Sequence, residues 1–135
     1  GLLAGMIVLS FFMVFIWPNE SLLQTRLRIK EYGRMAATVE AIVPPDGIIL
    51  TQRLDKVFFP ERRVIALEGM LGDDRQAIEL VAAHGSDYKF YFIDALTNDE
   101  DSAAHAELMK QGIEARFMTA LRGDSVRLYE LTVRK

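Results

Sequence analysis

Residues 87–94 read DYKFYFID, and on this stretch the fold turns. Phe90, Tyr91, Phe92 and Ile93 are four consecutive large apolar side chains between charged neighbours. With no polar face to turn outward, a run this short is expected as a strand covered on both sides, in the middle of a sheet. Two weaker runs precede it, GIILTQ at 47–52 and RVIAL at 63–67, short, rich in branched residues and expected as strands. Between them, RLDKVFFP at 53–60 carries a proline and a mixed pattern, which predicts a loop or one broken helical turn.

Helix signals alternate with these runs. Asp73 is placed to cap a helix through about His84, with Gln76 in the capping-box position and Gly85 as a left-handed stop. Thr97-Asn98-Asp99-Glu100 is a second capping box, opening a helix that ends at Gln111 with Gly112 as its stop. Strands are expected at 114–121 and 125–133, joined by Arg122-Gly123-Asp124. Strands separated by helices must pair in parallel through crossovers, whereas two strands joined by so short a turn pair antiparallel. The expected fold of 44–135 is a small three-layer, Rossmann-like α/β sheet, mostly parallel with a C-terminal antiparallel hairpin.

Upstream the composition changes. Residues 1–17 (GLLAGMIVLSFFMVFIW) hold no charge and one hydroxyl, Ser10, so every Lys, Arg, Asp and Glu falls in the other 118 residues. The stretch predicts a transmembrane helix, with Trp17 and Pro18 at the interface. At about 1.5 Å per residue it spans roughly 25 Å, short of the roughly 30 Å hydrocarbon core. The chain begins at Gly1 without an initiator Met, and the expectation is that the helix continues upstream. A signal peptide would carry basic residues first and a small-x-small site after, and neither is present. A buried core helix is disfavoured because apolar residues occupy every side.

Residues 18–43 predict a juxtamembrane amphipathic helix packed on the domain. Ser21-Leu22-Leu23-Gln24 matches a capping box, and Ile29, Tyr32, Ala36, Val39 and Val43 recur at three and four, giving one apolar stripe. Pro44-Pro45-Asp46-Gly47 ends it in a turn.

Composition excludes several functions. A net charge of -3 argues against nucleic acid as a partner, since phosphate binding needs a concentrated basic surface, and no cysteine means no disulfide, thiol nucleophile or zinc-thiolate site. In open α/β sheets ligands bind beyond the carboxyl ends of the strands, where the strand order reverses. The residues expected there are Thr51, Gln52 and Asp55 after the first strand, Glu68 to Gly72 after the second, and Asp94 after the third. Gln52, Asp55, Gly69, Gly72 and Asp94 are therefore the candidate ligand-binding residues. A glycine loop before a helix can cradle an anion, but the three-glycine dinucleotide fingerprint after the first strand is absent, and Asp73 and Asp74 already occupy that terminus.

The remaining constellations have plain readings. His84 and His105 lack a metal-ligand partner at helical spacing and are read as surface or interface residues. Asp99, Glu100 and Asp101 complement the dipole of a helix's first turn. Ser86, Ser102 and Ser125 sit in turns or a helix start without a nucleophile elbow. Arg122-Gly123-Asp124 reads as a hairpin turn rather than an adhesion motif. No catalytic residue, metal site or cofactor is expected.

A last membrane helix, a juxtamembrane helix, a Pro-Pro-x-Gly turn (44–47) and the segment Val57-Phe58-Phe59-Pro60-Glu61-Arg62-Arg63-Val64 follow one another, and Arg127-Leu128-Tyr129-Glu130-Leu131 lies in the final strand. This order resembles the C-terminal end of polytopic lipid-linked-sugar glycosyltransferases, the class that includes protein mannosyltransferases and aminoarabinose transferases. The resemblance covers nearly the whole chain, in order and texture. It implies a non-catalytic soluble domain and membrane anchor of an integral-membrane enzyme. The catalytic acidic residues of that class lie in loops between early membrane helices, to which nothing here corresponds. The partners it implies are the lipid bilayer, upstream membrane helices of a parent chain and a lipid-linked sugar. It places the soluble domain on the extracytoplasmic side, while Arg26, Arg28, Lys30 and Arg34 near the membrane helix would mark the cytoplasmic side. The extracytoplasmic placement is the expectation. The alternative function is a membrane-anchored α/β binding module without transferase activity.

Overall fold

A computed structural model describes residues 1–16, 22–52, 54–58, 61–67, 74–95, 103–123 and 125–134. The chain divides into two compact units, Gly1–Arg34 and Met35–Lys135.

The first unit holds α1 (Leu2–Ile16) and the beginning of α2 (Leu22–Ile42). Leu2, Leu3, Met6, Ile7, Val8 and Leu9 are all exposed, and their spacing distributes them around the whole helix. α1 has 15 residues, about 22 Å at 1.5 Å per residue, and no described helix is long and apolar enough to cross a membrane. Trp17, Pro18 and the Ser21 cap lie outside the described residues. The apolar stripe expected on α2 holds except at its start: Val39 and Val43 are buried, as is Met35, and Tyr32 and Ala36 are partly buried, whereas Ile29 is exposed.

The second unit is a five-stranded mixed sheet. Its strands are β1 (Ile48–Gln52), β2 (Arg63–Leu67), β3 (Phe90–Ala95), β4 (Ile113–Arg122) and β5 (Val126–Val133), in spatial order β2-β1-β3-β5-β4. β1 pairs in parallel with β2 and with β3, while β5 runs antiparallel to both β3 and β4. The FYFI run is thus central. The sheet is less parallel than expected because β5 does not sit at an edge: it fills the slot between β3 and β4.

Among the described residues, three helices connect the strands: α3 (Asp55–Phe58), α4 (Arg75–His84) and α5 (Ala103–Lys110). α3 is the broken helical turn expected from RLDKVFFP. Leu50, Phe90, Phe92, Tyr129 and Leu131 on one sheet face bury with Ile78 and Val81 of α4 and Ala104 and Leu108 of α5. The alternate residues Ile49, Tyr91, Ile93 and Leu128 are also buried, on the other face. There the Pro44 turn brings the chain in closely. A Cβ at Gly47 would meet Val43 Cγ1 at 2.7 Å and Tyr91 Cε2 at 3.1 Å. Packing on both faces explains why this strand has no polar alternation.

The turn glycines differ from one another. Gly112 and Gly123 have φ of 75° and 52°, the left-handed conformation expected of stops and hairpin turns. Gly85 does not: at φ -64° and ψ -14° it stays right-handed. Its role is close approach, since a Cβ there would stand 2.3 Å from Val133 Cγ2 and 2.8 Å from the Val81 carbonyl oxygen. At the other end of α4, Asp74 makes no side-chain cap hydrogen bond, and the expected cap Asp73 lies outside the described residues, as does the 97–100 capping box.

Candidate functional site at the switch between β1 and β3

The chain leaves β1 to build β2 on one side and returns to build β3 on the other, so the order reverses between β1 and β3. At such a point the connections after the two strands diverge and their carboxyl ends are left open to a ligand. The parallel register runs from Ile48↔Phe90 to Thr51↔Ile93. The next residues, Gln52 at the end of β1 and Asp94 one short of the end of β3, therefore lie at one level and on one face. Arg127 continues the row across β5 as the cross-strand neighbour of Asp94.

One step back, Phe92 pairs with Tyr129 and Tyr129 with Phe117. The Phe92 and Tyr129 rings stack with centroids 6.1 Å apart, and Phe117 meets Tyr129 edge-on at 6.0 Å. His105 of α5 stands edge-on to Tyr129 at 5.1 Å and to Phe92 at 6.3 Å. A polar row of Gln52, Asp94 and Arg127 thus borders an aromatic row of Phe92, Tyr129 and Phe117, with an imidazole against the aromatics.

Asp94 is buried, at 2% exposed, because β3 runs one residue past it and β5 lies alongside. Of the two histidines read as surface or interface residues, His105 is partly buried. Its Nδ1 is buried and its ring packs on two aromatics. His84 is exposed as expected, 4.0 Å from Asp87 and edge-on to Tyr88.

Of the candidate residues, the structure brings together Gln52 and Asp94. Asp55 opens α3. Gly69 and Gly72 lie outside the described residues. Sequence reasoning missed Arg127, Tyr129 and His105. Their signal was alternation: 127, 129 and 131 share a face of β5 and meet 94, 92 and 90 once the register is known.

The arrangement suits binding more than bond-making. Partly exposed Gln52, Arg127 and His105 stand around the buried Asp94 as hydrogen-bonding groups. Among the described residues, no group of three or more His, Cys, Asp and Glu could hold a metal ion.

The opposite face carries two further polar features. The Thr51 hydroxyl is fully buried without a hydrogen-bond partner. Burial pushes the Tyr91 phenol above its ordinary value, helped by the Glu130 and Asp46 carboxylates and opposed by Arg116. Arg116 itself pairs with Glu130, and Arg134 with Glu114, across the β4–β5 hairpin.

No protein-family model, curated protein or solved structure matches the chain.

Proposed function

We propose that this chain is the membrane anchor and non-catalytic soluble domain of an integral-membrane glycosyltransferase that uses a lipid-linked sugar donor, with the α/β unit on the extracytoplasmic side. The observation that carries the anchor is α1. Its six described large side chains, from Leu2 to Leu9, are each at least 61% exposed. They leave no side of the helix for water, a pattern satisfied by lipid or by neighbouring apolar helices. In this reading α1 lies in the hydrocarbon layer. The glycosyltransferase assignment is supported by the order of elements that resembles that class, with the aromatic-Pro-Glu-Arg segment leading into β2.

The test has two arms. Expressed in cells, the chain stays in the membrane pellet through alkaline carbonate extraction, while the chain lacking residues 1–17 is released. Incubated with a lipid-linked sugar donor, the chain alone transfers no sugar. Release of the intact chain by carbonate removes the anchor, and donor turnover removes the non-catalytic reading.

The alternative, an anchored binding module, is favoured by one observation: Gln52 and Asp94 stand side by side where the sheet order reverses. A soluble sugar phosphate that protects the chain against thermal unfolding, with the protection lost in Q52A, supports the module. Absence of protection across sugar phosphates leaves the transferase role.

A further inference from the structure

The first turns of α2 carry a surface of mixed apolar and basic character. Leu22, Leu23, Leu27 and Ile29 are all about half exposed or more, at 49%, 59%, 54% and 65%. Exposed basic residues are threaded between them. At 3.6 residues per turn, Arg26, Lys30 and Arg34 fall in the same arc of about 160° as these four apolar residues. Glu31, the one acidic residue of the stretch, falls outside it, as does Arg28.

This pattern is unlike that of a helix packed on protein. A core-facing helix segregates apolar from charged residues, because a buried Lys or Arg is costly. Here both share one face. That mixture fits an interface in which Leu and Ile side chains dip below a layer of negative charge while long basic side chains reach back up to it. The five residues between α1 and α2 keep this face close in sequence to the apolar helix.

We propose that the face of α2 formed by Leu22, Leu23, Leu27 and Ile29 with Arg26, Lys30 and Arg34 lies on the bilayer surface and binds anionic phosphate headgroups. The proposal rests on α1 being in the membrane and deepens that reading by naming the lipid chemistry. Attraction of a basic segment to anionic lipid falls off within a Debye length, so it weakens with salt.

Because the chain has no cysteine, a dye can be placed at one position. The whole chain carrying an environment-sensitive dye on L27C is reconstituted with vesicles of phosphatidylcholine, or of phosphatidylcholine and phosphatidylglycerol in equal parts. The same dye on E79C, an exposed position of α4, is the control. Flotation reports the anchor: a chain that fails to float with phosphatidylcholine overturns the α1 reading and this one with it. Given flotation with both vesicles, the L27C emission shifts to shorter wavelength in the anionic vesicles alone. High salt reduces the shift, R26Q/K30Q/R34Q abolishes it, and E79C shows none. Identical L27C emission in the two vesicles overturns the headgroup proposal while the anchor stands, and that outcome would leave the face for a protein partner. A shift that survives the triple glutamine variant also overturns it.

Discussion

Arg62 closes the end of α2: its Nε donates to the carbonyl oxygen of Val43 at 3.3 Å and its Nη2 to that of Glu40, also at 3.3 Å. The last carbonyls of a helix have no partner within it, and a cation there also meets the negative end of the helix dipole. One side chain just before β2 thus caps the end that the Pro44-Pro45 turn sets. Arg62→Ala is expected to lower stability by about 1–2 kcal/mol, discounted for partial exposure. Arg62→Lys recovers only part, since one ammonium cannot match a fork reaching two carbonyls. Urea unfolding of the three proteins measures this, and an unchanged midpoint for the alanine variant removes the capping role.

Gly85→Ala is expected to cost about 1–3 kcal/mol by overpacking against Val133. In the background of Val133→Ala the cost shrinks, because the 2.3 Å approach to Cγ2 is gone while that to the Val81 carbonyl remains. Gly112→Ala, at positive φ in open space, costs about 1 kcal/mol by strain alone, and Val133→Ala leaves that cost unchanged. A double-mutant cycle on thermal melts separates the two glycines.

Thr51→Val removes a buried hydroxyl that has no hydrogen-bond partner and keeps the shape of the side chain. The substitution is expected to be neutral or to stabilise by about 1 kcal/mol. A loss larger than that in chemical unfolding would mean the hydroxyl serves a neighbour.

Tyr91 gives the fold a sensitivity to alkali. Burial first, then the Glu130 and Asp46 carboxylates, raise its pKa above the ordinary 10.0. The folded chain therefore holds this proton more tightly than the unfolded one. That contribution is fully present below the unfolded pKa and is lost as pH rises through the folded one. Tyr91→Phe is expected to flatten the fall of melting temperature on the alkaline side of pH 10. Parallel curves for the two proteins would show that this phenol is not the cause.

Tyr129→Ala empties the centre of the aromatic row and is expected to cost about 3 kcal/mol or more. Phe117, at 55% exposure, is expected to cost less than about 1 kcal/mol when truncated to alanine. Equal losses in thermal melts would place Phe117 in the core.

Much of the fold was legible because each strand is an apolar run punctuated by turn residues, and because Gly112 and Gly123 mark positions that need positive φ. The slot taken by β5 was not legible, since a hairpin's turn fixes the pairing of its own strands and says nothing about which one meets the rest of the sheet. For the same reason Gln52 and Asp94 could be assigned from strand ends, while Arg127, Tyr129 and His105 required the register. Gly85 misled because a glycine after a helix has the same sequence signature whether it serves backbone conformation or the approach of another strand.

The position of β5 also sets the order in which the sheet can be finished. A ribosome adds about 5–20 residues per second, so β3 is complete seconds before Val133 exists. Until then β1 can cover one side of the FYFI strand, but its other side has no native partner, because β4 is held one strand away. The nascent chain therefore carries an open apolar edge until β5 arrives. Any interruption of synthesis between β4 and β5 leaves a species poised to pair with a neighbour of its own kind.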